Sequence, residues 1–282
     1  MKYALLTGAT GGLGGLCARA LAETGRWTVF AAGTNAQALE ELGRLARVVP
    51  VEMDVTRGES VEKAREAVAR RVDALDAVVH FAGLTAFTSM VEGDAVRVIE
   101  RLLAVNVTGA ARVNRAFFGM IEKGRGRIVH ISSESGWMTP QPFAGPYVLS
   151  KYALEAYNDS LRRELMFLGI PVVKVQPGSF ETRITRQIQQ GFESTLAATS
   201  RYRDVLTRMR PLMDMELRQK NDPGRLTGIV LRAMEAPRPR RNYRVGTGKM
   251  LLLLELLPES WVDALYRAIL NIGFLKGKLP VP

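Results

Sequence analysis

Tyr3-Ala4-Leu5-Leu6-Thr7-Gly8-Ala9-Thr10-Gly11-Gly12-Leu13-Gly14 lies near the start of the chain and decides how the remainder is read. Tyr3 to Leu6 is a short apolar run of strand type. Leu13, Leu16, Cys17, Ala20 and Leu21 then recur at helical spacing up to Gly25, a reasonable helix stop. Glycines between a strand and a helix permit a tight turn and let backbone amides approach a pyrophosphate, while the positive end of the helix dipole favours the anion. Gly8, Gly12 and Gly14 follow a G-x-x-x-G-x-G spacing, and with no Gly-Lys-Ser/Thr a nucleoside triphosphate loop is not supported. A ligand-free flexible turn would show the same glycines, so their meaning depends on the rest of the chain.

Downstream, strand-like runs recur at Trp27 to Ala32, Val48 to Met53, Ala77 to Phe81, Arg127 to Ser132 and Val172 to Gln176, with helical patterns in the gaps. That alternation predicts an α/β fold, a doubly wound parallel sheet of Rossmann type with helices on both faces. Beyond Pro177-Gly178 it breaks. Residues 183–222 read as helices or a mobile flap on the substrate side, Tyr243 to Val245 as a last strand, and 246–282 as a C-terminal helical extension. The whole of 1–282 is expected to form one dinucleotide-binding catalytic domain.

The chain has 282 residues and is 47% hydrophobic, enough for a packed core and too much for a disordered tail. One cysteine, Cys17, excludes an internal disulfide framework, and two histidines, His80 and His130, leave no multi-histidine or Cys/His zinc set. Metal-free chemistry in the cytoplasm is the expectation. No signal peptide is read at the start, and the apolar run Met250 to Leu257 is broken by Glu255 and stopped by Pro258, short of the roughly 20 residues of a membrane span. Net charge is +11, and +9 of it falls between Arg183 and Lys249, where 15 Lys or Arg face 6 Asp or Glu. A solvated arginine-rich surface accounts for this best, attraction to anionic lipid or an acidic ligand comes second, and no zinc-finger or RNA-binding motif supports nucleic acid.

At the end of the second strand, Ala31-Ala32-Gly33-Thr34-Asn35 carries neither the acid that reads a free ribose 2′-hydroxyl nor a base for a 2′-phosphate. Without a repelling acid, the Thr34 hydroxyl and Asn35 amide can donate to a phosphate, so the balance tips slightly to NADP over NAD. Asp54, followed by Val55, sits after the third strand. There it can accept from an adenine amino group or cap a helix beginning near Thr56 to Ser60.

Tyr147-Val148-Leu149-Ser150-Lys151 places a phenol and an ammonium four residues apart, on one helix face. Free tyrosine, with a pKa near 10, exchanges protons poorly at neutral pH, and a neighbouring cation is expected to make it more acidic. Alone, such a pair is usually surface decoration. Here Ile128-Val129-His130-Ile131-Ser132-Ser133 is a strand ending in hydroxyls, at the sheet edge where ligands bind, and Ser133 lies 14 residues before Tyr147. Asn106, in Asn106-Val107-Thr108-Gly109, interrupts a helical segment, as a buried amide at a kink, as a catalytic group, or both. Its match to a glycosylation acceptor is discounted without a secretion signal.

These residues resemble the short-chain dehydrogenase/reductase family, in the subgroup marked by T-G-x-x-x-G-x-G and Y-x-x-x-K, over about Lys2 to Thr185. The resemblance implies a cofactor cradle from Thr7, Gly8, Thr10, Gly11, Gly12, Leu13 and Gly14, with Thr34, Asn35, Asp54, Val55, Ala82 and Gly83 along it. It implies a catalytic tetrad of Asn106, Ser133, Tyr147 and Lys151, with Pro177, Gly178 and Thr182 at the nicotinamide carboxamide. It also implies a homo-oligomer. Two departures stand out: His80-Phe81-Ala82-Gly83 replaces the family's Asn-Asn-Ala-Gly, whose amide braces the sheet, and the Ser-to-Tyr interval is about one residue longer. Ser133 is preferred to Ser132.

Trp137, Met138, Pro140, Pro142 and Phe143, with Phe180, Ile184, Ile188 and Phe192, suggest apolar walls suited to a bulky lipophilic ketone or alcohol, although half of them are expected simply to pack the core. The helix carrying Tyr147 is similar to those of hydroxysteroid and retinol dehydrogenases. A 3-oxoacyl thioester reductase and a non-catalytic NAD(P)-binding regulator remain alternatives. Leu251 to Leu257 with Trp261, Leu265, Ile269 and Phe274, flanked by Arg238 to Arg244 and by Lys276 and Lys278, can lie on an anionic membrane surface, though core packing or a subunit interface is favoured.

Overall fold

The computed structural model describes residues 1–180, 183–218 and 221–270. Seven parallel strands, β1 (Lys2–Thr7), β2 (Trp27–Gly33), β3 (Val48–Glu52), β4 (Ala77–His80), β5 (Arg127–Ile131), β6 (Val172–Pro177) and β7 (Asn242–Val245), form one sheet in the order β3-β2-β1-β4-β5-β6-β7. Strand order reverses between β1 and β4, the place where parallel sheets open a crevice at their carboxyl ends. The helices are α1 (Gly12–Glu23), α2 (Ala36–Gly43), α3 (Gly58–Ala69), α4 (Ala95–Leu103), α5 (Gly109–Lys123), α6 (Gly145–Leu165), α7 (Arg183–Ala198), α8 (Arg203–Arg218), α9 (Pro223–Glu235), α10 (Lys249–Leu254) and α11 (Glu259–Leu270).

Alternation along the strands builds the two faces. Ala4 and Leu6, Val29 and Ala31, Val79 and Val129 point to one side, where Cys17 and Leu21 of α1, Leu42 of α2 and Leu226 and Val230 of α9 cover them. Leu5, Phe30, Val78 and Ile128 point to the other, under Val61 and Val68 of α3 and Val113, Phe117 and Ile121 of α5. Both faces of β1 and β2 are therefore apolar, the pattern of a parallel sheet covered twice, while β4, β5 and β6 each bury polar side chains, His80, His130, and Lys174 with Gln176. Cys17, buried in the first layer, donates weakly to the Thr227 hydroxyl at 3.7 Å, and burial pushes its thiol up to about 12.

The departure at His80 has a structural answer. The His80 Nε2 meets Asn114 Oδ1 at 2.7 Å, Asn114 Nδ2 meets His130 Nε2 at 3.1 Å, and His130 Nδ1 meets Asn158 Oδ1 at 2.8 Å. The two rings stack at 4.8 Å, so a histidine pair ties β4 and β5 to α5 and α6.

Residues 183–218 carry α7 and α8, the helical reading of this stretch, and Phe192, Leu206, Met209 and Met213 join Phe87 and Leu270 of α11 in a separate apolar cluster. On α11, Val262 and Leu270 face inward while Trp261, Leu265 and Ile269 are exposed. Phe274, Lys276 and Lys278 lie outside the described residues. Among the described residues no helix is long and apolar enough to cross a membrane, and no cluster of His, Cys, Asp or Glu could hold a metal ion.

Candidate active site

Gly8 takes φ +65°, and a Cβ there would stand 2.5 Å from the Ala82 amide nitrogen; one on Gly14 would stand 2.4 Å from the Gly8 carbonyl oxygen. The turn thus presses β1 against the segment after β4, and Thr7 Oγ1 secures it by accepting from the Ala82 N–H at 3.1 Å. Gly11 precedes α1 with no side-chain cap, and the first turn has no acidic residue, so the amide end of this helix opens into the cleft. An anionic diphosphate fits that end on charge and on space.

The cleft has a volume of about 900 Å³ and runs the width of the carboxyl edge. Gly8, Thr10, Gly11, Gly12, Leu13 and Gly14 line it, with Thr34, Asn35, Asp54, Val55, Ala82 and Gly83 along one arm and Ser133, Tyr147, Lys151, Pro177 and Gly178 along the other. Thr7 stands behind the wall, and Thr182 lies outside the described residues. Asn35 Oδ1 accepts from the Ala38 N–H at 2.9 Å and caps α2, which leaves its amide hydrogens for other acceptors. Asp54 Oδ1 accepts from the Thr56 N–H at 2.9 Å and hydroxyl at 2.7 Å. It closes a turn ahead of α3, whose N-cap position is Arg57, so the expected helix-capping alternative is not how it is used.

Asn106 sits in a π-helical turn, Ala104–Thr108, between α4 and α5, the irregularity read in the sequence. Its Nδ2 donates to the Leu84 carbonyl at 3.0 Å and to Ser150 Oγ at 2.8 Å, and its Oδ1 accepts from the Leu84 N–H at 2.7 Å. Ser150 in turn donates to the Tyr147 carbonyl at 2.7 Å. Ser133, not Ser132, bonds the Tyr147 hydroxyl. Lys151 Nζ, buried, donates to the Ile131 carbonyl at 3.1 Å and lies 5.7 Å from the Tyr147 ring centre.

The electrostatics correct one expectation. Burial pushes the Tyr147 phenol up to about 12, the Ser133 bond opposes this, and the Glu134 carboxylate adds to it. Lys151 does not reverse the rise, because burial pushes its own amine down to about 8 against the pull of Glu155. The phenol is a stronger holder of its proton than free tyrosine, not a weaker one.

The apolar walls also differ in part. Phe180 and Ile188 line the cleft, but Phe192 is buried in the third cluster and the Ile184 side chain lies outside the described residues. Trp137, Met138, Pro140, Pro142 and Phe143 do not line it: Met138 borders a smaller neighbouring pocket, Arg244 stacks on Trp137 at 3.7 Å, and Phe143 packs on Phe87. Glu134 and Arg101 line the cleft and are absent from the sequence-derived set. Glu134 follows directly on Ser133 at the open end of β5, a position that is itself a signal for function. Arg101 carries none, because nothing in its spacing on α4 distinguishes it from a solvated arginine.

The profile of the short chain dehydrogenase family matches residues 2–192. The chain belongs to that family. This dehydrogenase is 32% identical over 279 residues to Retinol dehydrogenase 16 of Mus musculus, covering 94% of this chain and 87% of the relative. Identity is likewise 32% over 279 residues to 17-beta-hydroxysteroid dehydrogenase type 6 of Rattus norvegicus, with the same coverage. Among solved structures, a short chain dehydrogenase from Burkholderia cenocepacia in complex with NADP superposes with a TM-score of 0.71 at 23% identity, covering 96% of this chain and all of that one. The protein is an NAD(P)-dependent oxidoreductase with a small-molecule substrate.

Proposed function

We propose that this dehydrogenase interconverts a ketone and a secondary alcohol, or an aldehyde and a primary alcohol, on a bulky lipophilic molecule of steroid or retinoid type, with Tyr147 as acid and base. The observation carrying the proposal is the meeting of the Tyr147 hydroxyl, Ser133 and Lys151 in the same cleft as the uncapped end of α1. NAD(P), when bound, supplies or accepts the hydride. The loop Gly8 to Gly14 and the amide end of α1 would hold its diphosphate, Thr34 and the free Asn35 amide a ribose phosphate, and Asp54 and Val55 the adenine, a set that suits NADP slightly better than NAD.

In the reducing direction Tyr147 gives its proton to the carbonyl oxygen and Ser133 donates to that oxygen as charge develops on it. The Lys151 ammonium then gives a proton to the phenolate so formed and recovers one from solvent through a relay water. Oδ1 of Asn106 and Nζ of Lys151 both lie near Gly83, at 3.5 and 3.8 Å from where its Cβ would be, so the second lone pair of Oδ1 can hold a relay water beside the ammonium. Phe180, Ile188 and Leu84 supply apolar contact for the substrate body. The names of the two mammalian relatives support a retinoid or steroid class. Exposed Trp261, Leu265 and Ile269 are consistent with a homo-oligomer contact or with peripheral membrane contact.

Cofactor titration with NADPH and NADH, followed by oxidation of the bound nucleotide against a panel of steroid ketones, retinaldehyde and 3-oxoacyl thioesters, tests the proposal. Turnover of the lipophilic carbonyls is expected. Turnover of the thioesters alone selects the acyl reductase instead, and tight binding with no turnover selects a regulator.

A further inference from the structure

Beneath the cleft lies a charged assembly the proposed chemistry does not use. Glu155, one helical turn after Lys151 on α6, and Lys174 of β6 form an ion pair at 2.5 Å, with side chains 10% and 8% exposed. Gln176 Nε2 donates to Glu155 Oε1 at 3.0 Å, and Lys174 also reaches Asp159 at 3.1 Å, whose side chain is 38% exposed. Room for the Glu155 stem exists because residue 136 is glycine; a Cβ there would stand 2.9 Å from Glu155 Cγ. Replacing such a pair by apolar residues is often neutral or stabilising, so its stability contribution alone does not explain it.

We propose that Glu155 is a positioning residue for the reaction: held by Lys174 and Gln176, its carboxylate keeps Lys151 charged inside the protein, and Lys174 sets how much of that field Lys151 feels. This rests on the proposed role of Lys151. Other groups around Lys151 do not substitute for Glu155. His130 on β5 is neutral above about pH 4, and the Tyr147 phenol is neutral up to about 12. Glu134 is placed against Tyr147 and Gly178, while Arg97, Glu100 and Arg101 of α4, which packs on α6, are exposed. Of the charged groups among the described residues, Glu155 is the one that opposes the loss of the Lys151 proton.

The two partners predict shifts of opposite sign. In the full-length protein carrying 13Cε-labelled lysine, the NMR titration midpoint of Lys151, identified by its loss in Lys151→Met, should fall by about 1 pH unit in Glu155→Gln and rise in Lys174→Met. The basic limb of the kcat profile for carbonyl reduction should move with it, with KM changing less than kcat. Glu155→Asp should restore part of the shift. Where either single variant fails to fold, Glu155→Gln/Lys174→Met removes both charges together and should place the midpoint between the two predicted shifts. Midpoints that stay fixed, or move in the same direction in both single variants, overturn the proposal. Midpoints that move as stated while the kcat limb does not would instead overturn the catalytic role of Lys151, so the two failures are distinct.

Discussion

Tyr147 sits between opposing influences: burial and Glu134 hold its proton on, Ser133 eases it off, and the outcome is a phenol at about 12. Such a group is fully protonated through the neutral range and ready to act as an acid. As a base it is scarce, and its ionised fraction grows about tenfold per pH unit below 12. Alcohol oxidation should therefore quicken with pH from 6 upward and flatten as Lys151 loses its charge near 8, whereas carbonyl reduction should be nearly level below that point. Parallel initial-rate profiles in the two directions check this; an oxidation rate that falls between pH 6 and 8 contradicts it. Tyr147→Phe should lower kcat by about 10²-fold or more while leaving the nucleotide dissociation constant within about twofold, measured by fluorescence titration. At this scale the sequence is legible where spacing carries the meaning: Tyr147 with Lys151, and Ser133 at a strand end, are visible as a pattern. Depth is not visible. The phenol's proton affinity follows from burial, and four-residue spacing to an ammonium carries no information about how far both groups are taken from water.

Among the elements, the turn from β1 to α1 holds its shape by backbone contact, and two glycines whose φ values differ by only 5° separate the causes. Gly8 at +65° faces the Ala82 backbone, while Gly25 at +70° has nothing within 4 Å of its Cβ position. Gly25→Ala should cost about 1 kcal/mol of stability from the left-handed backbone alone, and Gly8→Ala about 2 kcal/mol or more with weakened nucleotide binding. Chemical denaturation of the two variants checks the difference. The histidine pair between β4 and β5 gives a second measurement. Burial first, then the partner ring, holds His80 at about 3, and burial with a smaller push from Lys151 holds His130 at about 4, both below the unfolded value of 6.5. Between pH 4 and 6.5 the unfolded chain binds more protons than the folded one. Stability should therefore fall on acidification, by up to about 1.4 kcal/mol per pH unit for each histidine. His80→Asn, which restores the amide the family usually carries, should roughly halve that slope in urea titrations. Strand boundaries are readable to within about a residue, because buried parallel strands are short apolar runs. The asparagine bridge at Asn114 is not, since a polar residue inside a helix has the same spacing whether it faces water or a ring.

Across the whole molecule, the sheet and its two covering layers are one packing unit, and the cluster of Phe87, Phe192, Leu206, Met209 and Met213 is another. This explains why the alternation of strands and helices stops being informative after Gly178: α7 and α8 follow one another with no strand between the two to set a period, and they pack on each other and on α11. Leu206, fully buried there, is the point to test. Leu206→Ala should cost about 2 to 5 kcal/mol locally, so amides of α7 and α8 should exchange faster while those of β1, β4 and β5 keep their protection. Hydrogen exchange reads both regions in one experiment, and equal acceleration in the sheet would show a single cooperative unit.

The sole thiol of this chain stands at the seam between α1 and α9, closed to solvent and held far above neutral in its acidity. Iodoacetamide can reach Cys17 only when those helices part. Its alkylation rate in dilute reagent thus becomes a native stopwatch for opening of that layer, requiring no engineered label, and purification without reductant carries no hazard of intermolecular crosslinks while the fold is intact.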